Sequence, residues 1–330
     1  MNPRERVLSR SVALPTPYDR AFFPNKEINN ALAHEVLDRA GQENLVYALQ
    51  YGSHVTGDAD PTSIHDVMIV VEVAEKFHKE NLKLRGADYA FPHSARWHTY
   101  LNTFGFNFYQ THFRGENNQV LRAKLAVISK DNFIKGCSGT FSAGAGESEG
   151  AFGLYVAGRI QKAALSPLFR RENESTVEIE SAINVARIDG VWFTLGLLEK
   201  QFSYDELLHM YVSLSYKADV RVEKRGKVET LIEKSRDDYA AMLNPIIESF
   251  VKGGLIERNG DGFEKVKSLP KKDVIRRLNQ MKTIAFLTNY LKNPLTAGLA
   301  NGLWYALQKV RRSADSYLHY PSKTDHSNIT

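Results

Sequence analysis

The chain of 330 residues has a single cysteine, Cys137. No intrachain disulfide can form, which fits a reducing compartment. A lone thiol with no evident histidine partner reads as a packed side chain rather than a nucleophile. Long hydrophobic runs are missing too. None approaches the roughly eighteen apolar residues of a membrane span, so lipid would have to be met from the surface. Charge of one sign is in little excess. Lys and Arg number 43 against 38 Asp and Glu, and the formal +5 is a weak pull toward anionic partners. Internal repeats, long low-complexity tracts and recognisable RNA-binding motifs are absent, which argues against solenoids and nucleic-acid modules. Met1–Arg10 carries Arg4, Arg6 and Arg10, yet Pro3 and Glu5 interrupt any transit-peptide pattern. The expectation is no presequence and a bacterial cytoplasmic protein, with a processed mitochondrial one as the alternative.

Hydrophobic residues make up 43% and charged residues 25%, ordinary for a globular chain long enough for two cores. Glu27–Ala40 has Ile28, Leu32, Val36 and Leu37 at helical spacing. Asn44–Tyr51, Asn107–Phe113 and Lys124–Ser129 read as strands. Val67–Val73 reads as a strand whose Val67–Val71 is a continuous apolar run, as in a central strand covered on both faces. Gly136–Gly153 is rich in Gly, Ser and Ala, a linker by default and a lid as the rival reading. It separates domains placed at 1–150 and 151–330. Beyond Leu154 the pattern turns helical: Ile179–Glu199, Tyr204–Tyr216, Val228–Phe250, and onward through Lys309. The polar tail from Tyr320 is expected to fray.

The chemistry-bearing pattern is Tyr51-Gly52-Ser53-His54-Val55, followed thirteen residues after Ser53 by Asp66 at the head of Val67–Val71. Backbone N–H groups and a hydroxyl at a Gly-Ser turn can cradle phosphates. An acid at the edge of a strand can hold Mg²⁺ against them. This resembles nucleotidyltransferases of the polymerase-β type, although an Asp before a strand is also an ordinary turn residue. Asp58 and Asp60 read first as turn formers. Arg159 and Lys162, three apart, would share a helix face.

Further segments follow in order: Phe77-His78-Lys79-Glu80-Asn81-Leu82, Lys124–Ser129, Leu154-Tyr155-Val156-Ala157-Gly158-Arg159-Ile160-Gln161-Lys162, Leu214–Arg221 and Asn293-Pro294-Leu295-Thr296-Ala297-Gly298. From about Leu45 to Arg312 they resemble the family of the mitochondrial translocator assembly and maintenance protein, a phosphatidate cytidylyltransferase. The resemblance implies an α/β N-terminal nucleotidyltransferase (polymerase-β-like) domain followed by a mostly α-helical C-terminal domain. It implies transfer of cytidylyl from CTP to phosphatidate, giving CDP-diacylglycerol and pyrophosphate in phospholipid synthesis. Asp66, Lys124 and Asp219 would be catalytic, with Asp66 and Asp219 on Mg²⁺. Gly52, Ser53, His54, Tyr155, Arg159, Lys162 and Arg221 would hold the nucleotide.

The chain departs from the family at His54, where glycine is usual, and at Leu125-Ala126, where Tyr-Gly is usual. Met68 stands where the wider fold class has a second acid. His78 and Asn81 are structural or base-pocket residues, and His65 reads as a loop residue. Basic Lys271, Lys272, Arg276, Arg277, Lys282, Lys309, Arg311 and Arg312 bracket Leu299, Leu303, Trp304, Leu307 and Val310. Such a segment can lie on an anionic membrane, or pack on its own domain. The expected location is peripheral to the inner face of the cell membrane, or alternatively the matrix side of the mitochondrial inner membrane. Competing functions are transfer to a non-lipid acceptor and a non-catalytic membrane-assembly scaffold.

Overall fold

The computed structural model describes residues 26–52, 54–55, 63–114, 119–138, 165–217, 226–268, 270–287, 292 and 295–296. Helix α1 (Lys26–Ala40) leads into β1 (Leu45–Tyr51), and β2 (His65–Val71) returns antiparallel to it. Helices α2 (Ala74–Arg85) and α3 (Ala95–Asn102) precede β3 (Asn107–Arg114) and β4 (Val120–Ser129), and α4 (Lys130–Ser138) follows directly. Strand β5 (Leu165–Arg170) closes a five-stranded mixed sheet in the order β3-β4-β2-β1-β5, with β2 and β4 parallel. The apolar runs explain the centre. Val67–Val71 is buried on both faces, as a doubly covered strand must be. Val67, Ile69 and Val71 pack with Leu32, Val36 and Phe77 of α1 and α2. Met68 and Val70 pack on the other face with Phe133 of α4.

Sequence reasoning missed β5, because Pro167 argues against a strand. The sheet order resolves this: β5 is an edge strand, where a missing N–H costs no ladder bond. The sheet therefore draws on residues beyond 150.

Helix α5 (Glu174–Leu195) joins two cores. Asn173 caps it, its side chain accepting from the Thr176 N–H at 3.2 Å. Ile179, Ala182, Ile183 and Ala186 sit in the sheet core. Ile188, Val191, Trp192 and Leu195 sit in a second core with α6 (Tyr204–Lys217) and α7 (Lys227–Lys252). The helix is buried nearly all round, which is why it shows no single apolar stripe. Truncating Ile183, fully buried, to Ala is expected to cost about 2–5 kcal/mol, measured by chemical denaturation.

The second part is mostly helical but carries a small sheet, β6 (Gln201–Ser203), β7 (Ile256–Asn259) and β8 (Gly262–Lys265), in the order β6-β8-β7. Here the continuous helical expectation is corrected. Asn259 pairs with Gly262 across Gly260-Asp261, and Gly260 has φ +57°. That is hairpin chemistry, since a two-residue loop needs positive φ that glycine adopts freely. Helix α8 (Lys271–Phe286) then lays Val274, Leu278 and Met281 on Phe193 and Leu214. Its apolar stripe is satisfied internally, while Lys271, Lys272 and Arg276 stay exposed. Among the described residues no helix is long and apolar enough to cross a membrane.

Between α2, α3 and β3 lies a buried polar cluster. Asn107 Nδ2 donates to the His98 carbonyl (2.6 Å) and to His78 Nε2 (3.3 Å), and His78 Nδ1 meets the Tyr89 hydroxyl at 3.2 Å. Asn81 Nδ2 donates to the Arg39 and Phe77 carbonyls. His78 and Asn81 are thus built into the scaffold. Burial drives the His98 pKa down to about 4, against the pull of the Ala90 and Pro92 backbone, and holds His78 well below its usual value.

An unfolded histidine titrates near 6.5. Below that pH the unfolded chain takes up protons that native His98 refuses until about 4. Stability is therefore full above 6.5 and falls as the pH drops toward 4, by on the order of 3 kcal/mol for one such group. Urea midpoints at pH 7 and pH 4.5 check this, and equal midpoints would contradict neutral buried histidines.

Candidate functional site

Strand register assembles the site. Asp66 of β2 faces Tyr51 of β1 on one side and Lys124 of β4 on the other, and Lys124 faces Gln110 of β3. Paired residues share a face of the sheet. The row Tyr51, Asp66, Lys124, Gln110 therefore crosses four strands. The next pair along that face is Met68 and Ala126, already inside the apolar core. A carboxylate and a lysine thus stand side by side where the core ends.

The turn after β1 fits closely around that carboxylate. Gly52 has φ +88°, and a Cβ placed on it would lie 3.2 Å from Asp66 Oδ2. The glycine is favoured twice over, by its positive φ and by the acid that a Cβ would have to nudge aside. Lys124 is 5% exposed, and its Nζ sits 4.1 Å from the centroid of the Phe108 ring. A cation over an aromatic face is held by the ring quadrupole. Stem and head are thereby steered along the sheet.

His54 and His65 act as a pair. Their rings stack at 3.6 Å between centroids, and His54 Nε2 meets the Ser63 carbonyl at 3.1 Å. His65 Nδ1 meets Gln50 Nε2 at 2.9 Å. Burial lowers the His65 pKa to about 4, His54 adds to this and Asp66 opposes it. His65 is therefore the first residue of a strand and not a loop residue. The His54 ring stacks on this first residue of β2. Nothing in the sequence spacing announced that pair.

Of the sequence-nominated residues, Gly52, His54, Asp66 and Lys124 are brought together at this end of the sheet. Ser53, Tyr155, Arg159, Lys162, Asp219 and Arg221 lie outside the described residues, as do Asp58 and Asp60, the Gly136–Gly153 linker beyond Ser138, and the basic residues Lys309, Arg311 and Arg312. Cys137 is fully buried, and burial pushes its thiol well above the usual range, as expected of a packed side chain.

A groove of about 890 Å³ opens elsewhere, between α6 and α7. Phe202, Leu208 and Ile232 line it with Asp205, Glu206 and Glu233. Carboxylates around an apolar floor repel a triphosphate, so the sheet row is the better anion site.

A model of the family described as phosphatidate cytidylyltransferase, mitochondrial, matches residues 34–270. The chain belongs to this family. The match takes in Gly52, Asp66 and Lys124, and both cores. A Caenorhabditis elegans protein named phosphatidate cytidylyltransferase, mitochondrial, is 22% identical over 216 residues, 62% of this chain. The alignment spans 61% of that relative's length.

Proposed function

We propose that this member of the phosphatidate cytidylyltransferase family transfers cytidylyl from CTP to phosphatidate at a membrane surface, releasing pyrophosphate. The observation that carries the reading is Asp66 beside Lys124 above a glycine turn that closes tightly on the acid. The family and the relative's name supply the substrates.

The lipid phosphate is its own nucleophile. A phosphomonoester has a second pKa near about 6, so it is largely dianionic at neutral pH and needs no strong base. The residues must relieve repulsion between anions and steady the leaving pyrophosphate. Lys124 supplies one placed cation. Gly52, with Ser53 proposed beside it, opens the turn to phosphate oxygens. Asp66 is a hard oxygen donor, and Mg²⁺ characteristically takes one or two carboxylates with the rest of its shell from phosphates and water. Asp66, with Asp219 proposed as the second acid, would hold that ion. When bound, it neutralises charge on the triphosphate and its leaving group. Tyr155, Arg159, Lys162 and Arg221 remain proposed nucleotide contacts.

The N-terminal unit is proposed to be a nucleotidyltransferase domain of the polymerase-β type, with the helical unit after it. Its exposed basic residues Lys271, Lys272 and Arg276, with the segment beyond, are proposed to meet anionic lipid, on the inner face of a cell membrane or the matrix side of the mitochondrial one. The test is incubation with CTP, Mg²⁺ and phosphatidate in detergent micelles, following pyrophosphate and lipid-linked cytidine. CDP-diacylglycerol is the expected product. CTP binding without lipid product would overturn the acceptor.

A further inference from the structure

Beyond α8 the chain returns to the first sheet. Lys292 and Thr296 are buried, at 6% and 0% exposure; Lys292 addresses the two residues that lead into β3, and Thr296 addresses β3 itself. Lys292 Nζ donates to the Gly105 and Phe106 carbonyls, each at 2.8 Å. Thr296 Oγ1 donates to the Phe108 carbonyl at 3.2 Å, and its own carbonyl accepts from the Ala90 N–H at 3.0 Å.

The target of these bonds is specific. β3 is an edge strand of the sheet, so alternate carbonyls such as that of Phe108 point away from β4 and need partners, and the Gly105 and Phe106 carbonyls just before the strand have no ladder to join. A leucine or methionine could fill space there, but it would leave the carbonyls unsatisfied. A buried ammonium is costly, and burial depresses the Lys292 pKa well below its usual value. Its donors land two and three residues before Phe108, whose ring lies under Lys124 Nζ. Phe108 is therefore held from both sides. Its backbone pairs with Ala126 on β4, and its carbonyl is gripped by Thr296 from outside the sheet.

We propose that Lys292 and Thr296 are positioning residues for Lys124: by fixing the entry to β3 (Lys292) and its outer edge (Thr296) they hold the Phe108 ring that seats the Lys124 ammonium. This rests on the reading of Lys124 as the phosphate-facing cation. The helical unit and the sheet site are thus joined at a second place, through a segment distant in sequence.

The test is a double-mutant cycle in the full chain. Thr296→Val removes the hydroxyl with little change of shape, Thr296→Ser retains it, and Lys292→Met keeps the stem without the charge. Thr296→Val is expected to raise KM for CTP about fivefold to tenfold and to lower the melting temperature by a few degrees, with Thr296→Ser close to the unsubstituted protein in both. In a Lys124→Met background the same substitution should have no further effect. Full additivity would mean that Thr296 does not act through Lys124, and would overturn the proposal.

A second readout needs no turnover. Pulse acetylation with peptide-resolved mass spectrometry should show Lys124 labelling about threefold faster or more in Thr296→Val, while exposed Lys76 is unchanged. If the unsubstituted protein makes no lipid product, the functional reading fails on that result alone and the labelling decides the positioning. Unchanged Lys124 labelling in both Thr296→Val and Lys292→Met overturns it.

Discussion

Asp66→Asn is expected to lower kcat/KM for CTP by about a thousandfold, on the order of 4 kcal/mol of transition-state stabilisation. The substitution keeps the volume and the strand position and removes only the charge. Asp66 lies one step beyond the core pair of Met68 and Ala126, partly exposed, so packing should hardly register the change. The melting temperature should move by a few degrees at most. The measurement is steady-state kinetics with CTP varied at fixed Mg²⁺ and phosphatidate, with circular dichroism melts alongside. A variant within tenfold of the unsubstituted protein would remove Asp66 from the chemistry, and with it the phosphate site at this end of the sheet.

Gly52→Ala is expected to lower kcat/KM by about tenfold to a hundredfold, because it acts on the same carboxylate from the turn. Two costs are combined there. An alanine at φ +88° bears left-handed strain of roughly 1 kcal/mol. Its Cβ also arrives 3.2 Å from Asp66 Oδ2, so the acid must shift by a few tenths of an ångström or the turn must open. Gly41 separates the two. It has φ +71° with nothing near its would-be Cβ, so Gly41→Ala carries the strain alone. Similar melting losses in the two variants, with activity lost only in Gly52→Ala, would show that the turn is shaped around the carboxylate. Equal activity losses would reduce Gly52 to a backbone requirement.

The sheet's central strands were legible because burial on both faces leaves an uninterrupted apolar run, as in Val67–Val71. Helices α1, α5, α6 and α7 were legible from apolar residues at helical spacing. Strand β5 was not, since Pro167 is tolerable only at an edge, and edges are set by how strands assemble. The hairpin of β7 and β8 could have been read from Asn259-Gly260-Asp261-Gly262, a turn signal submerged in surrounding helical pattern. At the site, Gly52 and Asp66 were legible as a pair because a turn and a strand head are local features. Their register with Lys124, the stacking of His54 on His65, and the reach of Lys292 to the entry of β3 are contacts between distant segments. No local spacing encodes them, and a histidine in a glycine's place gives no hint that another ring waits for it.

The sharing of α5 between two cores constrains what insertions and deletions the chain can accept. An α-helix turns by about 100° and rises about 1.5 Å with each residue. Adding or removing one residue between Ala186 and Ile188 would swing Val191, Trp192 and Leu195 away from their partners while Ile179 and Ile183 stayed in place. Length at that point is fixed as strictly as composition, whereas surface connections can lengthen at little cost. Across divergent relatives, the count of residues along this helix should therefore hold where residue identities do not.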